Sequence, residues 1–314
     1  MKMTEKVIDL HMHSVNSDGT FTTQQMIDML YKKGADIISF TDHDSVGCYY
    51  DLKNGRAQLY PGVMLISGVE LSCQFNGCLR DMLGYDISIP FINYYLNEKY
   101  SLEHRIEKQQ YILEQLKSIC KACDLLFDPS ISVREGKKAE GFVVMYNELN
   151  RYQENVYRYP FIANNTQFYW NYFSNRDSEF FVDETYDLPT FSEAVDIIHQ
   201  AGGKAFLAHP YAYGLEQNGV AQLVQTAVYA GIDGIELKHS SNKGSDVNNI
   251  LDFAKHYHLL LSGGTDFHGI TKPGLELVTG YGNMLVQYEE IEPWVKNVRN
   301  MEMEGNENIL ELWS

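Results

Sequence analysis

No stretch of this chain approaches the roughly 18 consecutive apolar residues of a membrane-spanning helix. Its N-terminus, MKMTEKVIDLHMHS, also lacks the apolar core of a secretion signal. A cytoplasmic protein with no membrane partner is expected. Cysteine is scarce: Cys48, Cys73, Cys78, Cys120 and Cys123 make an odd set of 5 at no framework spacing, as reduced thiols would be. Positive charge is in short supply as well. The 25 Lys and Arg face 42 Asp and Glu, a net charge of −17. That excess excludes a broad electrostatic grip on duplex DNA, so an anionic partner has to be small and held locally. Neither an internal repeat nor a low-complexity tract is present.

What is present is histidine beside carboxylate, five times over, just past apolar strand-like runs. The clusters are Asp9-Leu10-His11-Met12-His13, Thr41-Asp42-His43-Asp44, Gly68-Val69-Glu70, Ala208-His209-Pro210 and Thr265-Asp266-Phe267-His268, with Asp18 in the loop after the first. Side chains in a strand alternate, so His11 and His13 point to one face and both imidazoles can reach one ion. A single HxH pair would be met equally by histidines merely hydrogen-bonded near a strand end. Five clusters that end strands in the same way point to a multinuclear metal site and a metal-dependent hydrolase.

The chain between the clusters alternates strand and helix. Val7 to Leu10 reads as a strand. Thr22 or Thr23 can cap a following helix with Met26, Ile27, Met29 and Leu30 at helical spacing, which Gly34 ends. Ile37 to Phe40 and Val63 to Ile66 are the next strands. A helix over Phe191 to Gln200, then strands at Lys204 to Leu207, Ile232 to Leu237 and Leu259 to Leu261, repeat the grammar. Alternation of this kind implies a parallel sheet, with functional groups at the C-terminal strand ends. The first and last clusters lie at opposite ends of the sequence, so one domain (1–90 with 190–314) has to bring them together. Residues 91–189 have no strand followed by a cluster and open on a helical pattern through Leu102, Ile106, Leu113, Leu116 and Ile119, an inserted, mainly helical cap. Its aromatic residues, among them Tyr146, Tyr157, Phe168, Tyr169, Trp170 and Phe173, suit packing of the cap on the main domain better than stacking on a base.

The segments DLHMHSVNSDG, FTDHDS, GVELS, LAHP and GTDFHG, in that order, resemble the polymerase and histidinol phosphatase (PHP) superfamily of phosphoesterases, over about residues 7–86 and 190–270. Within it the chain is most similar to a stand-alone metal-dependent branch acting on nucleotides or on the 5′ ends of short RNA. The resemblance implies an α/β fold, a distorted (β/α)7 barrel with a cap inserted after the third strand region. It also implies two or three divalent ions, Mn2+ foremost, Fe2+ or Zn2+ otherwise. Carried over, His11, His13, Glu70 and Asp266 would hold a first ion. Glu70 would bridge to a second, also bound by His209, and Asp18, His43 and His268 would hold a third. Asp81 in Arg80-Asp81-Met82-Leu83-Gly84-Tyr85 stands where the branch carries a histidine, a departure that would favour a hard ion. Asp42 and Asp44 are cast as groups that orient imidazoles. Three divalent ions would return about six positive charges, leaving the protein acidic.

The expected reaction is attack of a metal-bridging hydroxide on phosphorus, with no serine or cysteine nucleophile. Substrate phosphates beyond the ions need Arg or Lys. Arg134, Lys137, Lys138, Arg151, Arg158 and Arg176 are the cap's candidates, with Arg134 and Arg176 preferred, and His239 follows a strand where it could face substrate. No Arg follows His209-Pro210, where Tyr211-Ala212-Tyr213 stands. Cys120-Lys121-Ala122-Cys123 could join Cys73 and Cys78 in a zinc site only at irregular spacing. The leading function is a phosphatase for a nucleoside monophosphate or 3′,5′-bisphosphate. A 5′ to 3′ exonuclease on short RNA uses the same site. An amidohydrolase-like enzyme would want a lysine where Glu70 stands, and a degraded regulatory module would lack more of the donors.

Overall fold

The computed structural model describes residues 6–137 and 139–298. Lys138 and the first five residues, both used above, lie outside this set, as does the side chain of Trp170. Two compact units are formed, one from the described residues up to Leu96 and from Leu188 onward, the other from Asn97–Asp187.

In the first unit β1 (Ile8–Asp9) leads to α1 (Thr23–Lys32). Thr22 caps α1 by accepting from the Gln25 N–H, while the Gln25 side chain returns a bond to the Thr22 N–H. β2 (Ile37–Ile38), α2 (Gly47–Lys53) and β3 (Met64–Leu65) follow, and β1, β2 and β3 pair in parallel. The next two strands break the expected rule. β4 (Gly68–Phe75) and β5 (Cys78–Tyr85) form an antiparallel hairpin. Asn76 and Gly77 turn it with φ of 52° and 65°, the positive pair that a two-residue hairpin loop requires. After α3 (Ile89–Lys99) the chain enters the second unit.

That unit contains α4 (Leu102–Ala122), α5 (Glu140–Leu149), α6 (Gln153–Arg158) and α7 (Asn165–Phe168), then a π-helical turn at Tyr169–Phe173. No strand occurs among its described residues. Leu113 and Leu116 pack with Phe142, Phe168, Phe173 and Phe180 in a core of its own, which occupies the rings read above as packing residues. Each such ring, once buried, contributes about 1.5–3 kcal/mol.

The first unit resumes with α8 (Phe191–Gln200), capped by a Thr190–Glu193 box, and β6 (Lys204–Leu207), which pairs antiparallel with β5. α9 (Gln217–Ala230), β7 (Gly234–His239), α10 (Gly244–Tyr257), β8 (Leu260–Gly264) and α11 (Tyr288–Val295) complete it, with β6, β7 and β8 parallel. The result is a mixed α/β fold of a three-stranded and a five-stranded sheet, and among the described residues no closed barrel is formed. Parallel bridges link the sheets, Met12 with Phe267 and His43 with Glu70. Tyr85, Phe206 and Trp294 pack together beneath them, and the Trp294 indole N–H donates to the Leu261 carbonyl at 2.8 Å. No described helix is long and apolar enough to cross a membrane.

Candidate metal centre

Histidines of the first cluster are placed by β1 and by what clamps its end. The Asp9 carboxylate accepts from the Thr265 N–H (2.9 Å), the Thr265 hydroxyl (2.7 Å) and the Val278 N–H (2.8 Å), tying β1 to the chain after β8. The Asp266 N–H donates to the His11 carbonyl, and the His13 N–H to that of Phe267. This ladder sets HxH and DxH side by side. Gly264 makes the approach practicable, since a Cβ there would fall 2.1 Å from the His11 nitrogen.

Glu70 is the hub. Its Oε2 lies 3.2 Å from His11 Nε2, 3.2 Å from His13 Nε2 and 3.3 Å from His43 Nδ1, while Oε1 lies 2.9 Å from His209 Nε2. Asp266 Oδ1 is 3.0 Å from His13 Nε2 and 3.4 Å from His11 Nε2. Asp18 Oδ1 meets His268 Nε2 at 3.3 Å and His13 Nδ1 at 3.7 Å. Three sets of donor atoms gather within 4.8 Å of one another: His11, His13, Glu70 and Asp266; His13, Asp18, His43 and His268; His43, Glu70 and Asp81. His209 stands outside those sets, on the other oxygen of Glu70. Glu70 and Asp81 do not end parallel strands as expected. They face inward from the hairpin, Glu70 early in β4 and Asp81 in the first half of β5, because an antiparallel pair runs its strands in opposite senses.

The site is dry and charged. Burial disfavours protonated imidazoles, yet Glu70, Glu236 and Asp266 outweigh it at His11 and hold its pKa well above the usual value. Burial is likewise outweighed at His13, by hydrogen bonds to Asp266 and Glu70, and at His209, chiefly by Glu70, so both stand near about 9. Burial pushes Asp81 up to about 6, with Glu70 adding to it. In each case negative charge calls for a cation. The donors fit metal ions on a further ground: the buried atoms His13 Nδ1, Asp81 Oδ1 and His209 Nδ1 have no hydrogen-bond partner among the described residues. His209 and Asp266 also hold backbone φ of 24° and 54°, strain that non-glycine residues keep where the surroundings impose it.

Orientation of the imidazoles falls to residues other than those expected. Asp42 accepts from the Ser14 N–H and hydroxyl and from the Ser17 hydroxyl, so it braces the loop that carries Asp18 and touches no imidazole. Asp44 accepts from the Ser72 N–H at 3.0 Å. Glu236, absent from the expectations, does the orienting. It is fully buried, its Oε1 is 2.8 Å from His11 Nδ1, and its Oε2 accepts the His209 N–H at 2.8 Å. A bulge between Glu236 and Lys238 aims it: the extra residue turns His239 inward and sends Lys238 toward Glu290. His239 Nε2 then lies 3.2 Å from Asp266 Oδ2 and its Nδ1 2.8 Å from the Ser241 hydroxyl, so its ring meets a carboxylate. Lys272, also unforeseen, puts its ammonium 2.5 Å from the same Oδ2. Arg134 and Arg176 belong to the second unit, where Arg176 lies 5.6 Å over the Phe181 ring. No cluster of potential ligands among the described residues includes a cysteine, and Cys73 spends its thiol on the Arg80 carbonyl.

No family model matches the chain. It is 26% identical to a 5′-3′ exoribonuclease of Haemophilus influenzae, over 85% of this chain and 91% of that protein. It is 26% identical to a phosphoribosyl 1,2-cyclic phosphate 1,2-diphosphodiesterase of Eggerthella lenta (83% and 94%), and 24% identical to a 3′,5′-nucleoside bisphosphate phosphatase of Chromobacterium violaceum (86% and 90%). A solved structure from Bifidobacterium adolescentis, described as a metal-dependent phosphoesterase, shares the fold with a TM-score of 0.57 at 19% identity, over 94% of this chain and 98% of that one. The chain is a phosphoric ester hydrolase. This hydrolase presents carboxylate and imidazole donors where enzymes of that kind use metal, and no serine or cysteine nucleophile is among them.

Proposed function

We propose that this hydrolase removes a phosphoryl group from a small nucleotide, a nucleoside monophosphate or 3′,5′-bisphosphate, at a centre of two or three divalent ions, Mn2+ foremost. One observation carries the reading. A neutral imidazole offers a single lone pair, so among residues shared by two donor sets only Glu70, with oxygens facing opposite groups of histidines, can serve two ions at once. His11, His13, Glu70 and Asp266 would hold one ion. Glu70, Asp81 and His209 would hold a second, and Asp18, His43 and His268 a third. Ions held there would supply Lewis acidity, stabilising charge on phosphoryl oxygens and acidifying water.

The chain's own residues do the rest. Glu236 keeps the proton of His11 on Nδ1, and His239 with Lys272 occupies Asp266 Oδ2 so that Oδ1 stays turned to the imidazoles. Asp18 and His43 are the most exposed donors and mark the mouth, where the part-exposed ammonium of Lys272 is available to an incoming anion. Arg134 and Arg176 are assigned to substrate phosphates further out. The frame is read as a distorted (β/α)7 barrel, residues 1–90 and 190–314, with 91–189 as its cap, and the free thiols suit the cytoplasm.

A second reading, a 5′ to 3′ exonuclease on short RNA, is favoured by the name of the Haemophilus influenzae relative. Phosphate and mononucleotide release by the Mn2+-loaded protein, with His13→Ala as blank, separates the two. AMP or adenosine 3′,5′-bisphosphate giving phosphate while 5′-phosphorylated RNA stays intact supports the phosphatase. Stepwise mononucleotides from RNA support the exonuclease, and inactivity on all three with metal bound refutes the nucleotide reading.

A further inference from the structure

Asp81 and Tyr213 are 132 positions apart, yet the antiparallel pairing of β5 with β6 brings them together. The Asp81 N–H donates to the Tyr213 phenol oxygen at 2.9 Å, and the phenol donates in turn to Asp81 Oδ2 at 3.3 Å. The same ring stands edge-on to His209, centroids 5.2 Å apart, and carries the Arg80 guanidinium 4.4 Å over its face. One tyrosine therefore touches two of the three residues at the second ion position. It also lies in the segment after His209-Pro210 that departs from the pattern the chain resembles, as Asp81 does. Two departures meet at one hydrogen bond.

The consequence concerns the carboxylate. Asp81 is 93% buried, its Oδ2 is engaged by the phenol, and its Oδ1 has no hydrogen-bond partner and lies 4.0 Å from His43 Nδ1, on the Glu70 side. A carboxylate so held offers one oxygen in one direction. With Glu70 it makes a corner of two anionic oxygens, a donor set that suits hard ions better than zinc.

We propose that Tyr213 is the positioning residue that holds Asp81 as a single-oxygen ligand and thereby makes the Glu70–Asp81 corner selective for a hard divalent ion such as Mn2+ over Zn2+. The proposal rests on the metal reading above. Wild type, Tyr213→Phe and Asp81→His are stripped with chelator and reloaded from graded Mn2+ and from equimolar Mn2+ and Zn2+. Bound ions are counted by mass spectrometry and Mn2+ by electron paramagnetic resonance. Loss of an orienting partner weakens metal affinity about 10–100-fold. Tyr213→Phe should therefore bind one fewer Mn2+ per chain at limiting metal while its circular dichroism is unchanged. Asp81→His should shift the mixture toward Zn2+ at one ion per chain. Unchanged Mn2+ number and affinity in a folded Tyr213→Phe, or an unchanged Mn2+ to Zn2+ ratio in Asp81→His, would overturn the proposal. The ratio arm stands even if Tyr213→Phe fails to fold. A wild type that binds no divalent ion would refute the metal reading itself, which that arm alone decides.

Discussion

Glu236→Gln changes one atom and should cost the site its first ion. The wild-type carboxylate makes two buried bonds at 2.8 Å, one to His11 Nδ1 and one from the His209 N–H. The backbone N–H is a donor with no alternative, so the glutamine must turn its oxygen toward residue 209. Its NH2 then faces His11 Nδ1, which has to become an acceptor. A neutral imidazole with a bare Nδ1 carries its proton on Nε2, and Nε2 is the atom aimed at Glu70 and Asp266. The metal-binding lone pair is lost without any change of shape. The opposite rotamer keeps the His11 tautomer but sets two donors against each other at residue 209, an unsatisfied buried group worth about 1–3 kcal/mol. The tautomer change leaves every group partnered, so it is the route expected.

Orienting partners of this kind are worth about 10–100-fold in metal affinity, or ~1.4–2.7 kcal/mol. Calorimetric titration of chelator-stripped protein with Mn2+ measures it, and nitrogen NMR of the imidazoles reports the proton on His11. The expected variant folds as the wild type does, binds Mn2+ at least tenfold more weakly and shows His11 protonated on Nε2. A Glu236→Gln protein that binds within twofold of wild type would refute the argument that the carboxylate sets the tautomer.

Acid–base behaviour without metal follows from the same crowding. His13 and His209 stand at about 9 in the folded chain against an ordinary 6.5, so the stability they contribute is complete below about 6.5 and lost as pH rises through about 9. Asp81, raised from 3.8 to about 6, adds a loss of the same sign in the acid range. Urea midpoints in chelator should fall between pH 6.5 and 9.5, whereas Mn2+-loaded protein, whose ions take the protons' place, should not follow; equal midpoints in chelator would contradict the assignment. Gly264→Ala should displace β8 from β1, because the new Cβ meets His11 backbone at 2.1 Å, and overpacking of this kind costs about 1–3 kcal/mol. Thermal melting should drop by several degrees with loss of bound metal, while Gly244→Ala, which meets nothing within 4 Å, should melt as the wild type does.

What could be read in the chain, and what could not, divides along chemical lines. Few side chains bind divalent ions, so His11, His13, Glu70 and Asp266 stand out by type and by their position at apolar runs, and they gather within 4.8 Å of one another. The hairpin of β4 and β5 had a legible sign, Asn76-Gly77 between two strand-like runs, and its antiparallel course is why Asp81 faces inward from the first half of its strand. Glu236 had a weaker sign, a lone acid in the apolar run Gly234-Ile235-Glu236-Leu237. Its partner could not be inferred, because the bulge that aims it depends on the register against Ser262 and Gly263. Lys272 and Tyr213 had none. Any ammonium can meet a carboxylate and any phenol can accept a backbone N–H, so only pairing across the sheets decides that these two reach Asp266 and Asp81. The atoms that bind metal are scarce and therefore legible, while those that aim them are common in type and become specific only through the fold. The variants that test this centre most sharply are accordingly at Glu236 and Tyr213, two residues that do not themselves bind an ion in the proposed arrangement.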